Sequence, residues 1–307
     1  MLRIAHVSDL HVLSPVGIEW RRIIFNRRVT GLANLLLRRA RVFRPEHLTA
    51  VLGAAAKNAD QLVITGDLTN LSLETEFAQA RRIVDDLAKK VEVSVIPGNH
   101  DLYLPDTAHK RRFSHYFGPF MRSDLPDLRA EAPAGLFPFV RLAGPAALIG
   151  LSSAVPRPPF VSAGYLGKAQ IAALRAVLAR PEVASRTPVI LVHHDPLDSR
   201  YRIEQMRRGL VDARELRSAI SQLARGLVLF GHLHIRRYSR FQTDAGWIDV
   251  VCASGASLEH EDERIRAGFN LYTLQEDRAI KSIEAWVLDP ATDDFRRYDL
   301  GAEGRSA

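Results

Sequence analysis

The chain has 307 residues, 47% hydrophobic and 25% charged, enough for one large α/β domain or two small ones with a sizeable core. A single cysteine, Cys252, cannot close an internal disulfide. The start, Met1 to Ser8, lacks the apolar stretch of a signal peptide, and no run of about 18 apolar residues occurs, so a disulfide scaffold, a secretory leader and a spanning helix are not expected and the chain reads as cytoplasmic. The net charge of +7 favours anionic partners, namely phosphate esters, nucleic acid or acidic lipid headgroups.

Leu2 to Ser8 reads as a first strand, ending at Asp9-Leu10-His11. A basic insertion at about 12–44 follows. It carries Arg21, Arg22, Arg27, Arg28, Arg38, Arg39, Arg41 and Arg44, with no acid between Trp20 and Pro45. Leu32, Leu35, Leu36, Val42 and Phe43 are spaced for an amphipathic helix. Leu62 to Thr65 is a second strand, ending at Gly66-Asp67, and Val91 to Ile96 a third, ending at Pro97-Gly98-Asn99-His100-Asp101. Between these two, Phe77, Ala80, Ile83, Val84 and Leu87 recur at helical spacing over Leu73 to Lys90. The pattern is a βαβ unit and predicts parallel pairing.

Further along, Leu136 to Leu142 and Ala146 to Leu151 read as paired strands, and Lys168 to Leu178 as a helix. Pro188 to Val192 is a buried strand ending at His193-His194. Asp212-Ala213-Arg214-Glu215 resembles a capping box that opens a helix to about Leu223. Leu227 to Phe230 is another buried strand, ending at Gly231-His232-Leu233-His234. Arg236 to Gln242, Trp247 to Cys252, Phe269 to Leu274 and Ala279 to Leu288 alternate as in an antiparallel meander, and the tail after Pro290 is polar and read as loosely held. The expected organisation is one domain over 1–290 with a tail at 291–307.

Polar clusters thus follow the C-terminal ends of five apolar strands, the edge at which α/β sheets bind ligands. They hold carboxylate, imidazole and amide groups and no thiolate, a mixture suited to Mn, Fe, Zn or Co and unlike a finger-type zinc site. Asp9 and His11 are two apart, so on an extended chain both side chains point the same way, and His232 and His234 repeat the spacing. Glycine before Asp67, Asn99 and His232 lets backbone approach a ligand closely. Of His193 and His194, either one could be the ligand and the other a packing residue.

The ordered set Asp9-x-His11, Gly66-Asp67, Gly98-Asn99-His100-Asp101, His193, Gly231-His232-x-His234 resembles the signature of the calcineurin-like metallophosphoesterases. The resemblance implies the metallo-dependent phosphatase fold, a four-layer αββα sandwich of two mixed sheets flanked by helices. It implies two divalent metal ions, one held by Asp9, His11 and His234, the other by Asn99, His193 and His232, with Asp67 bridging. It places His100 beside the scissile phosphate as the acid, with Asp101 orienting it. Hydrolysis would proceed by attack of a hydroxide held between metals roughly 3.5–4 Å apart.

Within the family, Gly-Asn-His-Asp with the complete ligand set is similar to the class III cyclic nucleotide phosphodiesterases, which implies phosphodiester hydrolysis. The arginine-rich insertion, with Leu102-Tyr103 after Asp101, is similar instead to the UDP-2,3-diacylglucosamine pyrophosphatases of lipid A synthesis. That alternative carries with it contact between residues 18–44 and an anionic membrane, at the inner membrane face. A non-catalytic scaffold is opposed by the intact ligand set. Nucleic-acid binding is opposed by the lack of aromatics interleaved with arginine. Oligomeric state leaves no mark in the sequence.

Overall fold

The computed structural model describes residues 1–12, 43–103, 105–158, 160–197, 202–292 and 294–301. Most of the basic insertion, and with it the amphipathic helix expected over Leu32 to Phe43 apart from its last residue, lies outside the described residues; Phe43 is not helical but bridges Leu258. No helix among the described residues is long and apolar enough to cross a membrane.

Strands β1 (Leu2–Val7), β2 (Gln61–Ile64) and β3 (Glu92–Val95) pair in parallel, as the βαβ pattern requires. The intervening helix is Glu74–Ala88. On the other side of β1, strands β12 (Gly268–Leu274), β13 (Ile280–Asp289) and β14 (Asp294–Asp299) are added antiparallel, giving a six-stranded sheet in the order β14-β13-β12-β1-β2-β3. The second sheet has the order β10-β11-β9-β8-β7-β6. Its members are β6 (Phe139–Ala143), β7 (Ala146–Gly150), β8 (Thr187–Leu191), β9 (Arg225–Phe230), β10 (Arg237–Gln242) and β11 (Trp247–Cys252). A short hairpin of β4 (Ala130–Ala132) and β5 (Gly135–Phe137) stands apart.

The layering follows from side-chain alternation. Leu148, Val189, Leu191, Leu227, Leu229 and Val251 of the second sheet pack into the core shared with the first sheet. Their neighbours Ala147, Ile149, Ile190, Val228, Val250 and Cys252 point the opposite way, onto Leu174 and Val177 of helix Lys168–Leu178 and Leu216 and Ile220 of helix Ala213–Ile220. A period of two puts alternate residues on opposite faces, so one face meets the other sheet and one meets helices. Helices Pro45–Asn58 and Glu74–Ala88 pack Val51, Leu52, Ala55, Phe77, Ala80 and Val84 against the first sheet. The result is the four-layer sandwich of two mixed sheets flanked by helices that the resemblance implied.

Four local expectations are corrected. The run Leu136 to Leu142 is not one strand but breaks at Pro138, which has no N–H to give to a ladder, so β5 pairs with β4 and β6 with β7. The four late strands are not one meander. β10 and β11 stay in the second sheet, where β11 lies parallel to β9, and the chain then crosses so that β12 joins β1. Part of the tail expected to be loose is β14, paired along its length with β13. The helix after Asp212 ends at Ile220, and Asp212 makes no cap.

Asp212 serves a different end. Its carboxylate accepts hydrogen bonds from the backbone N–H groups of Leu166 (3.0 and 3.1 Å) and Gly167 (2.8 Å), immediately before helix Lys168–Leu178. Stripping a buried donor of its acceptor costs about 1–3 kcal/mol. Asp212→Ala is therefore expected to lower the free energy of urea unfolding by about 2 kcal/mol or more. A loss below about 0.5 kcal/mol, the range of an ordinary surface substitution, would show that these two bonds are dispensable.

Candidate metal centre

The five polar clusters converge where β1, β2 and β3 of one sheet and β8 and β9 of the other end. Backbone bonds cross-link the loops: Asp9 N–H donates to Gly66 O (3.0 Å), His11 N–H to Asp67 O (3.0 Å) and Gly231 N–H to His193 O (3.1 Å). The Asp9 carboxylate accepts from His232 N–H at 3.0 Å, tying the first loop to the last.

Two groups of ligand atoms result, each clustered within 4.8 Å. Asp9, His11, Asp67 and His234 form one, and His193, His194 and His232 the other. In the first, His234 Nε2 lies 3.1 Å from Asp9 Oδ1 and 3.2 Å from His11 Nε2. Between the groups, Asp67 Oδ2 lies 3.9 Å from His11 Nε2 and 3.5 Å from His193 Nε2. Asn99 Oδ1 is 3.2 Å from the same His193 nitrogen.

The pair His193 and His194 separates by hydrogen bonding. His193 Nδ1 donates to the Thr65 carbonyl at 2.7 Å, which turns Nε2 toward Asn99 and Asp67. His194 has both nitrogens engaged, Nδ1 with Ser153 Oγ and Nε2 with the Ser162 carbonyl, each at 2.8 Å.

The side chains of Asp9 and His11 do converge, but the geometric reason differs from the one expected. Neither residue is extended: φ is +53° at Asp9 and +48° at His11, and likewise +52° at Asp67, +66° at His232 and +55° at His234. Nine non-glycine residues among those described have positive φ, and five of them are candidate ligands. Such backbone costs of order 1 kcal/mol or more per residue and concentrates at functional sites.

His100 is half-buried at the edge of the first group. Its ring lies edge-on to His11 and stacks on Tyr103, with centroids 5.0 and 5.7 Å away. Its Nδ1 donates to the Asn70 carbonyl at 2.6 Å, and its backbone N–H donates to Asp67 Oδ1 at 2.7 Å. Asp101 is the residue that the resemblance implied orients His100. Its carboxylate accepts from Leu68 N–H, Thr69 N–H, Thr69 O–H and Gly98 N–H at 2.9–3.2 Å, so it fastens the loop after β2 to the loop after β3. The residue that sequence reasoning left without a role is Asn70. Its carbonyl sets the His100 ring, while its side-chain N–H₂ donates to the His11 and Val12 carbonyls at 2.7 and 3.1 Å. The only signal was its place three residues after Asp67. Phe43, expected on the insertion helix, lies edge-on to His11 with centroids 5.0 Å apart. His260 lines a separate hollow of about 540 Å³ with His47, Glu259, Glu261, Arg266 and Pro290.

The electrostatics fit a cation site. Burial works against ionised Asp9, yet His234 and His193 beside it hold its carboxyl well below the usual range. Burial likewise opposes Asp67, and His193 and His100 overcome it. For His193, burial is outweighed by Asp67, which lifts it to about 9. Burial, then the neighbouring His193, pulls His232 down to about 3. Burial and the Asp67 charge push Asp101 up to about 7. Two ionised carboxylates therefore share a dry site with imidazoles. Asp9 Oδ1 accepts no hydrogen bond among the described residues. Two imidazole nitrogens facing each other at 3.2 Å, beside a buried carboxylate oxygen that accepts no hydrogen bond, form a donor set that a divalent cation would satisfy.

Against known proteins, the chain matches the family described as calcineurin-like phosphoesterase over residues 2–236. It belongs to that family. It is 29% identical over 222 residues to a Rhodococcus erythropolis protein described as a probable cyclic nucleotide phosphodiesterase, an alignment covering 68% of this chain and 61% of that one. The chain thus spans less than two thirds of that relative's length. Among solved structures it is similar to a dimetal phosphatase from Danio rerio, with 13% identity, 93% and 94% of the two chains covered and a TM-score of 0.53. It is similar also to a purple acid phosphatase from yellow lupin, with 15% identity, 97% of this chain and 52% of that one covered, and a TM-score of 0.57. At these identities the structures establish the metallophosphatase fold alone.

Close approach at this centre leaves no room for a Cβ on Gly98: it would lie 2.2 Å from Asp67 Oδ1 and 2.3 Å from Asp67 N. Gly98→Ala should fold, since the clash is confined to the two loops after β2 and β3, but should displace Asp67. Titration calorimetry with Mn²⁺ is expected to show affinity weaker by roughly 10–100-fold, the usual cost of disturbing the support of a metal ligand. Unchanged affinity would mean that Asp67 can shift without consequence.

Proposed function

We propose that this chain hydrolyses phosphodiesters with two divalent metal ions, and that Asp67 is shared between them. The observation that carries this reading is the position of Asp67 Oδ2, which faces His11 on one side and His193 on the other. Asp9, His11 and His234 would hold one ion, and Asn99, His193 and His232 the other. Mn, Fe, Zn or Co suits these donors. When bound, the ions would supply a water activated near neutral pH and neutralise charge on the phosphoryl oxygens.

The chain's own residues supply orientation and a proton. Thr65 fixes the His193 ring through its carbonyl, and His6 holds Thr65 in turn, with Nε2 2.9 Å from Thr65 Oγ1. His6 is fully buried, and burial pulls it down to about 3, so it acts as a neutral strut. His100 is the acid. Nδ1 donates to the Asn70 carbonyl, so Nε2 is the nitrogen that would carry a proton to a leaving oxygen. Tyr103 stacks on the ring and limits its tilt. Asp101 keeps the Asp67 and His100 loops in register, as a positioning residue.

A diester substrate is favoured over a monoester by the description of the Rhodococcus relative, within the limits of its coverage. The pyrophosphatase alternative rests on the arginine-rich insertion, most of which lies outside the described residues, and on Leu102-Tyr103, a pair that does not by itself select a pyrophosphate substrate.

The test is hydrolysis of bis(p-nitrophenyl) phosphate and p-nitrophenyl phosphate by metal-stripped protein, with and without Mn²⁺. Cleavage is expected only with metal, and faster on the diester; metal-independent cleavage would refute the reading. His100→Ala should keep its metal by elemental analysis while kcat falls roughly 10²–10⁴-fold. Loss of metal there would make His100 a ligand instead of the acid. Asp67→Ala should lose metal and activity together, and near-normal turnover by that variant would sink the shared-carboxylate scheme.

A further inference from the structure

Exposed apolar side chains are unevenly distributed over this molecule. Among the described residues eight large hydrophobics are exposed, and five of them, Phe160, Tyr165, Ile203, Met206 and Val211, fall on two segments. Those segments are joined. Ser162 N–H donates to Arg207 O at 2.8 Å, Gly164 N–H to Gly209 O at 3.0 Å, and Val211 N–H to Gly164 O at 3.0 Å. Ile203 and Met206 are three apart on helix Arg202–Arg208 and so share a face. Phe160, Ile203 and Met206 are 79%, 73% and 64% exposed, so they stand clear of the surface. Phe160 also has φ +65°, an uncommon conformation for an aromatic residue that holds it at the tip of its loop.

The patch is basic as well. Arg207 and Arg208 are exposed and make no ion pair among the described residues. Arg157 gives its guanidinium to the carbonyls of Ala163 and Gly164, which leaves its charge uncompensated. Glu204 is the one acid of the helix. Apolar side chains that protrude singly, ringed by arginine, match the two layers of an anionic lipid surface: acyl chains below, phosphates above.

We propose that this patch docks the protein on an anionic lipid bilayer. The docked face is coupled to the metal centre. Ser162, between Phe160 and Tyr165, accepts the hydrogen bond of His194 Nε2, and His194 adjoins His193. A docked molecule therefore holds its candidate centre beside the membrane. The inference concerns the surface alone and stands whether or not the catalytic reading does.

The experiment is co-sedimentation of the full chain with vesicles of phosphatidylcholine and phosphatidylglycerol, against vesicles of phosphatidylcholine alone. Binding is expected to the anionic vesicles and to weaken as salt is raised. The triple variant Phe160→Ser, Ile203→Ser, Met206→Ser should partition at least roughly tenfold more weakly. Arg207→Glu with Arg208→Glu should remove the preference for anionic lipid. Hydrolysis of a soluble diester should not change in either, because none of these side chains belongs to the centre. Two outcomes would overturn the proposal: no binding by the parent chain, or equal binding by the triple variant. A dimer seen by light scattering and abolished by the triple variant would also overturn it, assigning the patch to a second copy of this chain.

Discussion

Everything at the candidate centre follows from burying two carboxylates, Asp9 and Asp67, within reach of one imidazole. Each has an oxygen 3.9 Å from His11 Nε2, and both residues are essentially inaccessible to solvent. Removing a carboxylate from water costs several kcal/mol unless it is paired and hydrogen-bonded. Here pairing is partial. Asp67 Oδ1 is satisfied by His100 N–H and Asp9 Oδ2 by His232 N–H, while the remaining oxygens look only at histidines. Histidine is a fitting neighbour because it can be neutral and still offer a lone pair. A cluster of this kind is stable when it holds positive charge, and metal binding becomes part of what makes the interior tolerable.

The constraint also explains the backbone. Candidate ligands sit in left-handed conformations at Asp9, His11, Asp67, His232 and His234, and left-handed residues are unfavourable one at a time. The surrounding structure must over-determine them. It does so with polar braces that reach no ligand atom: Asp101 between two loops, the Asn70 side chain on the first loop, and Ser72 Oγ on the His100 carbonyl at 2.6 Å. Beyond the half-buried Gln61 and Glu92 that open β2 and β3, the strands beneath are buried, so the loop ends inherit a rigid base. Stiffness thus comes from the sheets and placement from the braces.

How much of this was legible in the sequence depended on whether the signal was local. The βαβ unit and the helix at Lys168 were legible because hydrophobic period is a local property; the helix was expected from Lys168 to Leu178 and occupies those residues. The ligand clusters were legible because each follows its strand directly. The crossing of β12 into the first sheet was not, since an alternating strand looks the same in either sheet and only the partner tells them apart. Asp212 shows the same limit at the scale of one side chain: aspartate before a helix predicts a cap, but the donors it serves are 45 residues back in the chain. The resemblance implied that Asp101 orients His100; what its carboxylate holds is the loop 32 residues earlier, a partner that no local pattern reveals.

One consequence of the layered design concerns where variation can occur. The loop after β7 meets His194, whose two ring nitrogens bond Ser153 and Ser162. That loop contributes no candidate ligand, so its exposed residues are free of the charge constraint that fixes Asp9 and Asp67. Residues under such a constraint tolerate little, whereas exposed side chains on a loop whose backbone is held elsewhere can be apolar or basic at small cost in stability. Burial of charge therefore divides the molecule into a centre whose chemistry is fixed by electrostatics and a rim whose chemistry is open. The Phe160 and Met206 patch lies on that rim, joined toward the centre by the part-buried hydrogen bond from His194 to Ser162.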